Sequence, residues 1–289
     1  MRISRQLHEG RECLGIVEGT KARLTSDHAG LPTDLRELLQ QVPDPFGALA
    51  SAVRGSEPIS LDDVALLAPI QKPGKILAIG LNYRAHAAET GREVSPHQIW
   101  FNKQRTCIAG PGEAIDKPVA SDMVDYEGEL VVVIGKRCRR VPAERAHEVI
   151  AGYMVGNDVS VRDWQRRTPT MQMGKSFDTH GPIGPWMVTP DDIKDPQDLT
   201  ITTMVNGQQR QYASTSEMIH SVHQQIEHLT TAFTLEPGDL VFTGTPEGVG
   251  AAMEPPRFLK DGDVVRIEIS GIGVLENPVI DEVARIVIE

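Results

Sequence analysis

Residues 125–135, DYEGELVVVIG, open with acids and close on a run of branched apolar side chains. Side chains two apart on a strand share a face, so Asp125, Glu127 and Glu129 would crowd one side. Like carboxylates placed together repel, and burying them without partners is costly. The apolar half belongs in an interior, which raises the question of what cation, if any, sits beside the acidic half. Gly128 removes a side chain from the opposite face, where another backbone or a ligand can then approach closely.

Outward from this segment the chain is rich in short apolar stretches punctuated by Gly and Pro. KILAIGL, YMVGNDVS, PWMVT, LTITTMVNG, LVFTG and DVVRIEISGIGVLENPVI all read as strands. Two helices are expected among them. One lies in PAERAHEVIAG from Pro142, and the longest runs from Ser214 to Phe233, opened by Ser214 and Glu217 at capping-box spacing. Its Met218, Ile219, Val222, Ile226, Leu229 and Phe233 form one apolar stripe. Before residue 70 the pattern differs: strands at CLGIVEG and KARLT, then one short helix with Leu35, Leu38, Leu39 and Val42 at helical spacing. Thr33 or Asp34 is available to cap it. Pro69 and Pro73 interrupt the pattern, so the expected division is a small N-terminal α+β domain, 1–70, and a catalytic domain, 71–289. The main body is α+β and β-rich, without a regular βαβ alternation.

The 289 residues suffice for a sizeable core. With 29 basic against 40 acidic residues and no Lys/Arg-rich block, nucleic acid is not an expected partner. Cys13, Cys107 and Cys138 form no CxxC or other ligand spacing, which argues against a disulfide framework and a structural zinc, and for a reducing cytoplasm. No apolar run reaches the roughly 20 residues of a membrane helix, and MRISRQLHEG has no apolar core of a leader.

A further acid, Asp158, follows the strand-like stretch in GYMVGNDVSVRDWQ. Oxygen donors from strand ends, with no neighbouring His or Cys, suit Mg2+, Mn2+ or Ca2+ better than zinc. An isolated ExE equally fits solvated acids at an exposed strand end, and the residues alone leave both readings open. In GLNYRAHAAETG, His86 and Glu89 lie three apart, neighbours on a helix, as a general base and its orienting carboxylate would be; exposed His-Glu pairs of this kind are also common. Lys175 in GKSFDTHGPIGPW sits where it could stabilise an enolate or simply reach solvent. VFTGTPEGVG is a glycine-rich turn able to present hydroxyls and backbone N–H groups to an anion, but it lacks the lysine and spacing of a P-loop. His220, His223 and His228 fall off the apolar stripe of the long helix and read as solvated, and no nucleophile elbow surrounds Ser176 or Ser214.

Taken in order, ILAIGLNYRAHAAETG, DYEGELVVVIGK, GYMVGNDVSVRDWQ, GKSFDTHGPIGPW, VNGQQRQYASTSEMI and GDLVFTGTPEGVG resemble the fumarylacetoacetate hydrolase family over most of residues 74–250. The resemblance implies that family's mixed β-sandwich or roll behind a small N-terminal domain, and a homodimer. It implies metal ligands at Glu127, Glu129 and Asp158, holding Mg2+ or Mn2+ with Ca2+ as an alternative. It also implies a catalytic dyad at His86 and Glu89, an active-site Lys175, and substrate contacts at Arg162, Gln165 and Thr245. Asp125 is outside the family's ligands and is expected to support the strand end. The founding hydrolases carry a fourth metal-binding Asp seven residues before the catalytic histidine; here that position is Ile79. The chain therefore resembles the smaller, acylpyruvase-like branch, with Thr168 to Met173 helping to shape its pocket.

The implied activity is metal-dependent hydrolysis of a C-C bond in a 2,4-dioxo acid, giving pyruvate and a carboxylic acid. Oxaloacetate decarboxylation, enol-acid isomerisation and ureidoglycolate cleavage use the same metal-enolate arrangement within the family and are the alternatives. Two other classes remain as rivals: a non-catalytic module clamped by a cation, and a phosphate-binding protein using GTPEGVG.

Overall fold

The segment Gly128–Ile134 is the middle of the molecule in a computed structural model that describes residues 1–25 and 30–288. Every residue of this strand is buried. Leu130, Val132 and Ile134 pack in one apolar core, and Val131 and Val133, pointing the other way, pack in a second. A strand covered on both faces needs a continuous apolar run instead of alternation, which is why VVVI is branched and apolar throughout.

The strand belongs to a large sheet. It pairs antiparallel with Ile150–Asn157 on one side and Leu240–Phe242 on the other. Leu240–Phe242 in turn lies parallel to Ile76–Gly80, whose C-terminal end leads into the segment bearing His86. A second sheet, ordered Gln208–Ser214, Thr200–Val205, Val264–Ile269, Gly273–Asp281 and Ile115–Lys117, covers one face. Ile201, Ile267, Ile269 and Leu275 bring its side of the shared core. The sandwich with a few helices agrees with the β-rich α+β expectation.

Residues 68–75 hold neither helix nor strand, yet the large sheet continues across them. Arg2–His8 pairs with Gly181–Val188, and Leu14, Leu35, Leu38 and Leu49 share one core with Ile76, Val131 and Met154. The helix Leu35–Gln41 is capped by Asp34, whose Oδ1 accepts from the N–H of Arg36 at 2.8 Å. A second helix, Pro45–Ala52, was outside the sequence expectation, although Asp44 at the cap and Pro45 in the first turn are its signals.

Two expected helices are corrected. Ala143–Val149 makes 3-10 turns, and the chain enters the sheet at Ile150, where pairing with Ile134 overrides helix formation. The expected helix from Ser214 to Phe233 is broken. Its capping box forms, but caps only the turn Thr215–Glu217; a second box at Ser221 and Gln224 opens the helix Val222–Ala232. Asn82 is the cause: its carbonyl and Oδ1 accept the N–H groups of Ile219 and His220 at 2.7 and 2.8 Å, removing them from any helix. Its Nδ2 donates to the Thr243 carbonyl at 2.8 Å, so one side chain ties the helix, the glycine-rich turn and the His86 segment together. No helix among the described residues is long and apolar enough to cross a membrane.

At Gly128 the close neighbour is the second sheet, not a ligand. A Cβ there would collide with Thr203 Oγ1 and lie 3.2 Å from Ile267 Cγ2. Gly128→Ala is expected to cost about 1–3 kcal/mol by overpacking between the sheets, read as a lowered midpoint in urea denaturation. An unchanged midpoint would mean that the sheets separate freely at this point.

Candidate active site

The acids that open the central strand are all buried: Asp125, Glu127 and Glu129 are at most 5% exposed, and Asp158 is 1% exposed. The strand pairing breaks between Asp125 and Gly128. Glu127 there donates its N–H to Asn157 Oδ1 at 3.0 Å, which fixes its backbone beside Asp158. One oxygen from each of Glu127, Glu129 and Asp158 lies within 4.8 Å of the other two. The three expected ligands are thus brought to one point.

Three buried cations face them. Arg162 donates through Nε to Asp125 Oδ2 at 2.9 Å and through Nη1 to Glu127 Oε1 at 2.5 Å. Lys175 Nζ bridges Glu127 Oε2 and Asp158 Oδ2, each at 2.7 Å. Lys103 Nζ donates to Asp158 Oδ1 at 2.7 Å and to the Lys175 carbonyl. Four buried carboxylates therefore meet three buried cations, and Glu129 is the one with no ion pair among the described residues. Its Oε2 accepts only a backbone N–H, from Gly244 at 2.7 Å.

The proton affinities follow this imbalance. Burial pushes Glu127 up, but Lys175 and Arg162 outweigh it and hold the carboxyl far below the ordinary range. Burial also pushes Glu129 up, and Asp158 and Glu127 push it further, well above the usual carboxylate value. For Lys175, burial favours loss of the proton, yet Asp158 and Glu127 keep it protonated more firmly than in water. The unmatched negative charge, the hard oxygen donors and their mutual approach fit a divalent cation held by Glu127, Glu129 and Asp158. Carboxylate oxygens carry two acceptor sites each, so the lysine contacts leave room for such an ion.

The dyad lies beside this cluster. On the helix Arg84–Glu89, His86 Nδ1 and Glu89 Oε1 are 2.7 Å apart, and Glu89 Oε2 accepts the N–H of Gly248 at 2.8 Å. Gly248 has φ +100°, and a Cβ there would strike the Arg210 carbonyl, so only glycine turns the N–H toward Glu89. Glycine-rich donors thus do serve anions, but the anions are the chain's own: Gly244 holds Glu129, Gly248 holds Glu89, and Gly250 and Ala251 hold Asp125. The expectation that Asp125 supports the strand end matches this position.

A cavity of about 640 Å³ reaches the cluster at Glu127 and is lined by His86, Glu89, Glu127, Arg162, Gln165, Lys175 and Thr245 among others. Ile79 lines it as well, placing an aliphatic side chain where the founding hydrolases are expected to carry an acid. Thr168, Pro169 and Met171 of the expected pocket-shaping loop also contribute to the lining. Arg162, expected as a substrate contact, has donors committed to Asp125, Glu127 and Gln165. The Thr245 hydroxyl donates to the Gly128 carbonyl at 3.0 Å and accepts from Gln211, so part of its role is to fasten the strand. Lys103 was missed by sequence reading; its one signal is a lysine inside the apolar strand context IWFNK.

With its pKa raised above the unfolded value, Glu129 binds more protons folded than unfolded, so metal-free stability falls as pH rises from about 4.5 toward the raised value. Glu127, shifted the other way, contributes stability above about pH 4.5 that is lost on acidification. In EDTA, the melting temperature of the wild type relative to Glu129→Gln is expected to decline as pH rises above about 4.5. Mn2+ or Mg2+ at about 100 times its Kd should restore roughly 2.7 kcal/mol to the wild type and nothing to the variant. A variant that gains as much from the ion would place the metal elsewhere.

The sequence pattern of the fumarylacetoacetate (FAA) hydrolase C-terminal family matches residues 75–280, and a family described as Rv2993c-like, N-terminal matches 1–69. The fumarylacetoacetate hydrolase domain-containing protein 2 homolog of Dictyostelium discoideum is 42% identical over 278 residues, 91% of each chain. A mitochondrial oxaloacetate tautomerase of Xenopus laevis is 40% identical over 282 residues, 96% of this chain and 86% of that one. Among solved structures, a maleylpyruvate hydrolase from Sphingobium with manganese(II) and pyruvate aligns with a TM-score of 0.82 at 31% identity, over 97% and 99% of the chains. A family match across 75–280, joined to relatives at least 40% identical over more than nine-tenths of this chain, establishes that this chain belongs to the fumarylacetoacetate hydrolase family.

Proposed function

We propose that the chain is a divalent-metal-dependent enzyme that cleaves the C-C bond of a 2,4-dioxo acid to pyruvate and a carboxylic acid. The observation that carries this reading is a carboxylate-oriented histidine lining the same cavity as Glu127, one of the three clustered acids. When bound at Glu127, Glu129 and Asp158, a divalent ion supplies a Lewis acid for the substrate's oxygens and the enolate that cleavage releases.

The chain's own groups divide the proton work. Gly248 fixes Glu89, and Glu89 accepts the Nδ1 proton of His86, a tautomer assigned from this hydrogen bond, which leaves Nε2 as the base. His86 Nε2 takes a proton from water, and the resulting hydroxide attacks the carbonyl remote from the carboxylate. The bond between the carbonyl carbon and C3 then breaks, with its electron pair becoming the enolate of pyruvate. Asp158 and Glu127 hold the Lys175 proton against the effect of burial, so Lys175 contributes positive charge beside the enolate. The proton returned to C3 comes from the His86 imidazolium.

A second reading, keto-enol interconversion of a 2-oxo diacid, is supported by the Xenopus relative named an oxaloacetate tautomerase. There His86 would move a proton between carbon and oxygen without admitting water to a carbonyl. Pyruvate release from acetylpyruvate, with Mn2+ and with EDTA, separates the readings from accelerated decay of enol-oxaloacetate absorbance with no pyruvate formed. His86→Ala is expected to keep the metal-dependent gain in melting temperature and lose about 10²–10⁴-fold in turnover. Turnover surviving this change would remove the dyad from the mechanism.

A further inference from the structure

The cavity's sign is opposite to that of the molecule. Against an excess of acids in the whole chain, 40 to 29, three exposed arginines, Arg92, Arg166 and Arg167, line the cavity and so mark its mouth. The cations of the floor, Arg162 and Lys175, are already matched by buried carboxylates. Of these three, Arg167 is engaged, stacked 3.8 Å from the Trp164 ring centroid and 3.4 Å from Asp163 Oδ2. Among the described residues, Arg92 and Arg166 have no side-chain ion pair or hydrogen bond, and neither is among the residues with further interactions.

Their backbones are nevertheless fixed by the elements that build the site. The N–H of Arg92 bonds the Ala87 carbonyl of the His86 helix at 2.9 Å. The N–H of Arg166 bonds the carbonyl of Arg162 at 3.2 Å, closing the short helix that aims Arg162 at the acids. Two unmatched guanidinium groups at the rim of a cavity that would chelate a 2-oxo acid at its floor provide what a second anion requires. Guanidinium groups bind carboxylates through paired hydrogen bonds, and a cleft with one sign of charge concentrates ligands of the other.

We propose that Arg92 and Arg166 bind a carboxylate at the far end of the substrate, making this enzyme selective for dianionic oxo acids over equally long ones ending in an alkyl group. The proposal rests on the preceding reading only for the placement of the 2-oxo acid end at the floor.

The test compares binding and turnover. Calorimetric titration of the manganese-loaded protein with 2-oxoglutarate and 2-oxopentanoate, and with 2-oxoadipate and 2-oxohexanoate, compares carboxylate with methyl at constant length. The diacid is expected to bind at least about tenfold more tightly in one pair or both. Arg92→Gln and Arg166→Gln should each reduce that ratio about fivefold, the scale of a well-formed exposed ion pair, and the double variant should bring it close to one. Raising the salt concentration should shrink it in the wild type. The kcat/KM ratio for 2,4-dioxo acids ending in carboxylate or methyl should move in parallel. A ratio near one in the wild type, or one that survives the double change, overturns the proposal while leaving the catalytic reading intact. If no oxo acid binds and no 2,4-dioxo acid turns over, the catalytic reading fails and this proposal fails with it.

Discussion

Everything in this molecule is arranged around four carboxylates buried beside three cations. Each ion removed from water costs several kcal/mol, and only close pairing returns it. Asp125, Glu127 and Asp158 have such partners; Glu129 does not. The site is therefore left one positive charge short at the place where three oxygens converge. Packing that forces Glu129 into the interior, between Gly128 and Leu130 of a fully buried strand, holds this deficit in place.

The deficit is specific because each acid is held from behind. Arg162 and Lys175 take separate oxygens of Glu127, Lys103 and Lys175 take separate oxygens of Asp158, and the glycine-rich turn supplies backbone donors to Glu129, Glu89 and Asp125. Long cationic side chains and rigid peptide N–H groups differ in what they do here. A lysine changes the net charge, whereas an N–H orients a carboxylate and leaves its charge largely unmatched. Glu129, given only the latter, remains the strongest electrostatic call for a cation.

How much of this was legible in the sequence depends on whether a feature is local. The acidic opening of the strand, the helical spacing of His86 and Glu89, and a cap at Thr33 or Asp34 are local patterns; the structure brings Glu127 and Glu129 together with Asp158, pairs His86 with Glu89, and takes Asp34 as the cap. Two helices were misread because their ends are set from a distance: Asn82, more than 130 residues away, intercepts Ile219 and His220, and Ile134 draws Ile150 into the sheet. Gly128 showed that something approaches closely, but not that it is Thr203 of the other sheet. Lys103 carried no motif; its meaning arises only when Asp158, 55 residues on, folds against it.

The same geometry bears on which step the lysine serves. Lys175 lies in the cavity lining with 2% of its surface exposed, gripped by two carboxylates and 5.0 Å from the Phe101 ring. Burial works against the Lys175 proton, and in the metal-free protein Asp158 and Glu127 outweigh it and shift the group upward. Binding of a divalent ion to Glu127 and Asp158 would weaken that grip by drawing on the same oxygens. Positive charge would then be offered toward the substrate side, where an enolate develops, while Lys103 still anchors Asp158 from behind. In the proposed mechanism the occupancy of the acidic cluster would thus set how Lys175 presents its charge, and the imidazole of His86, outside that cluster, would carry the protons.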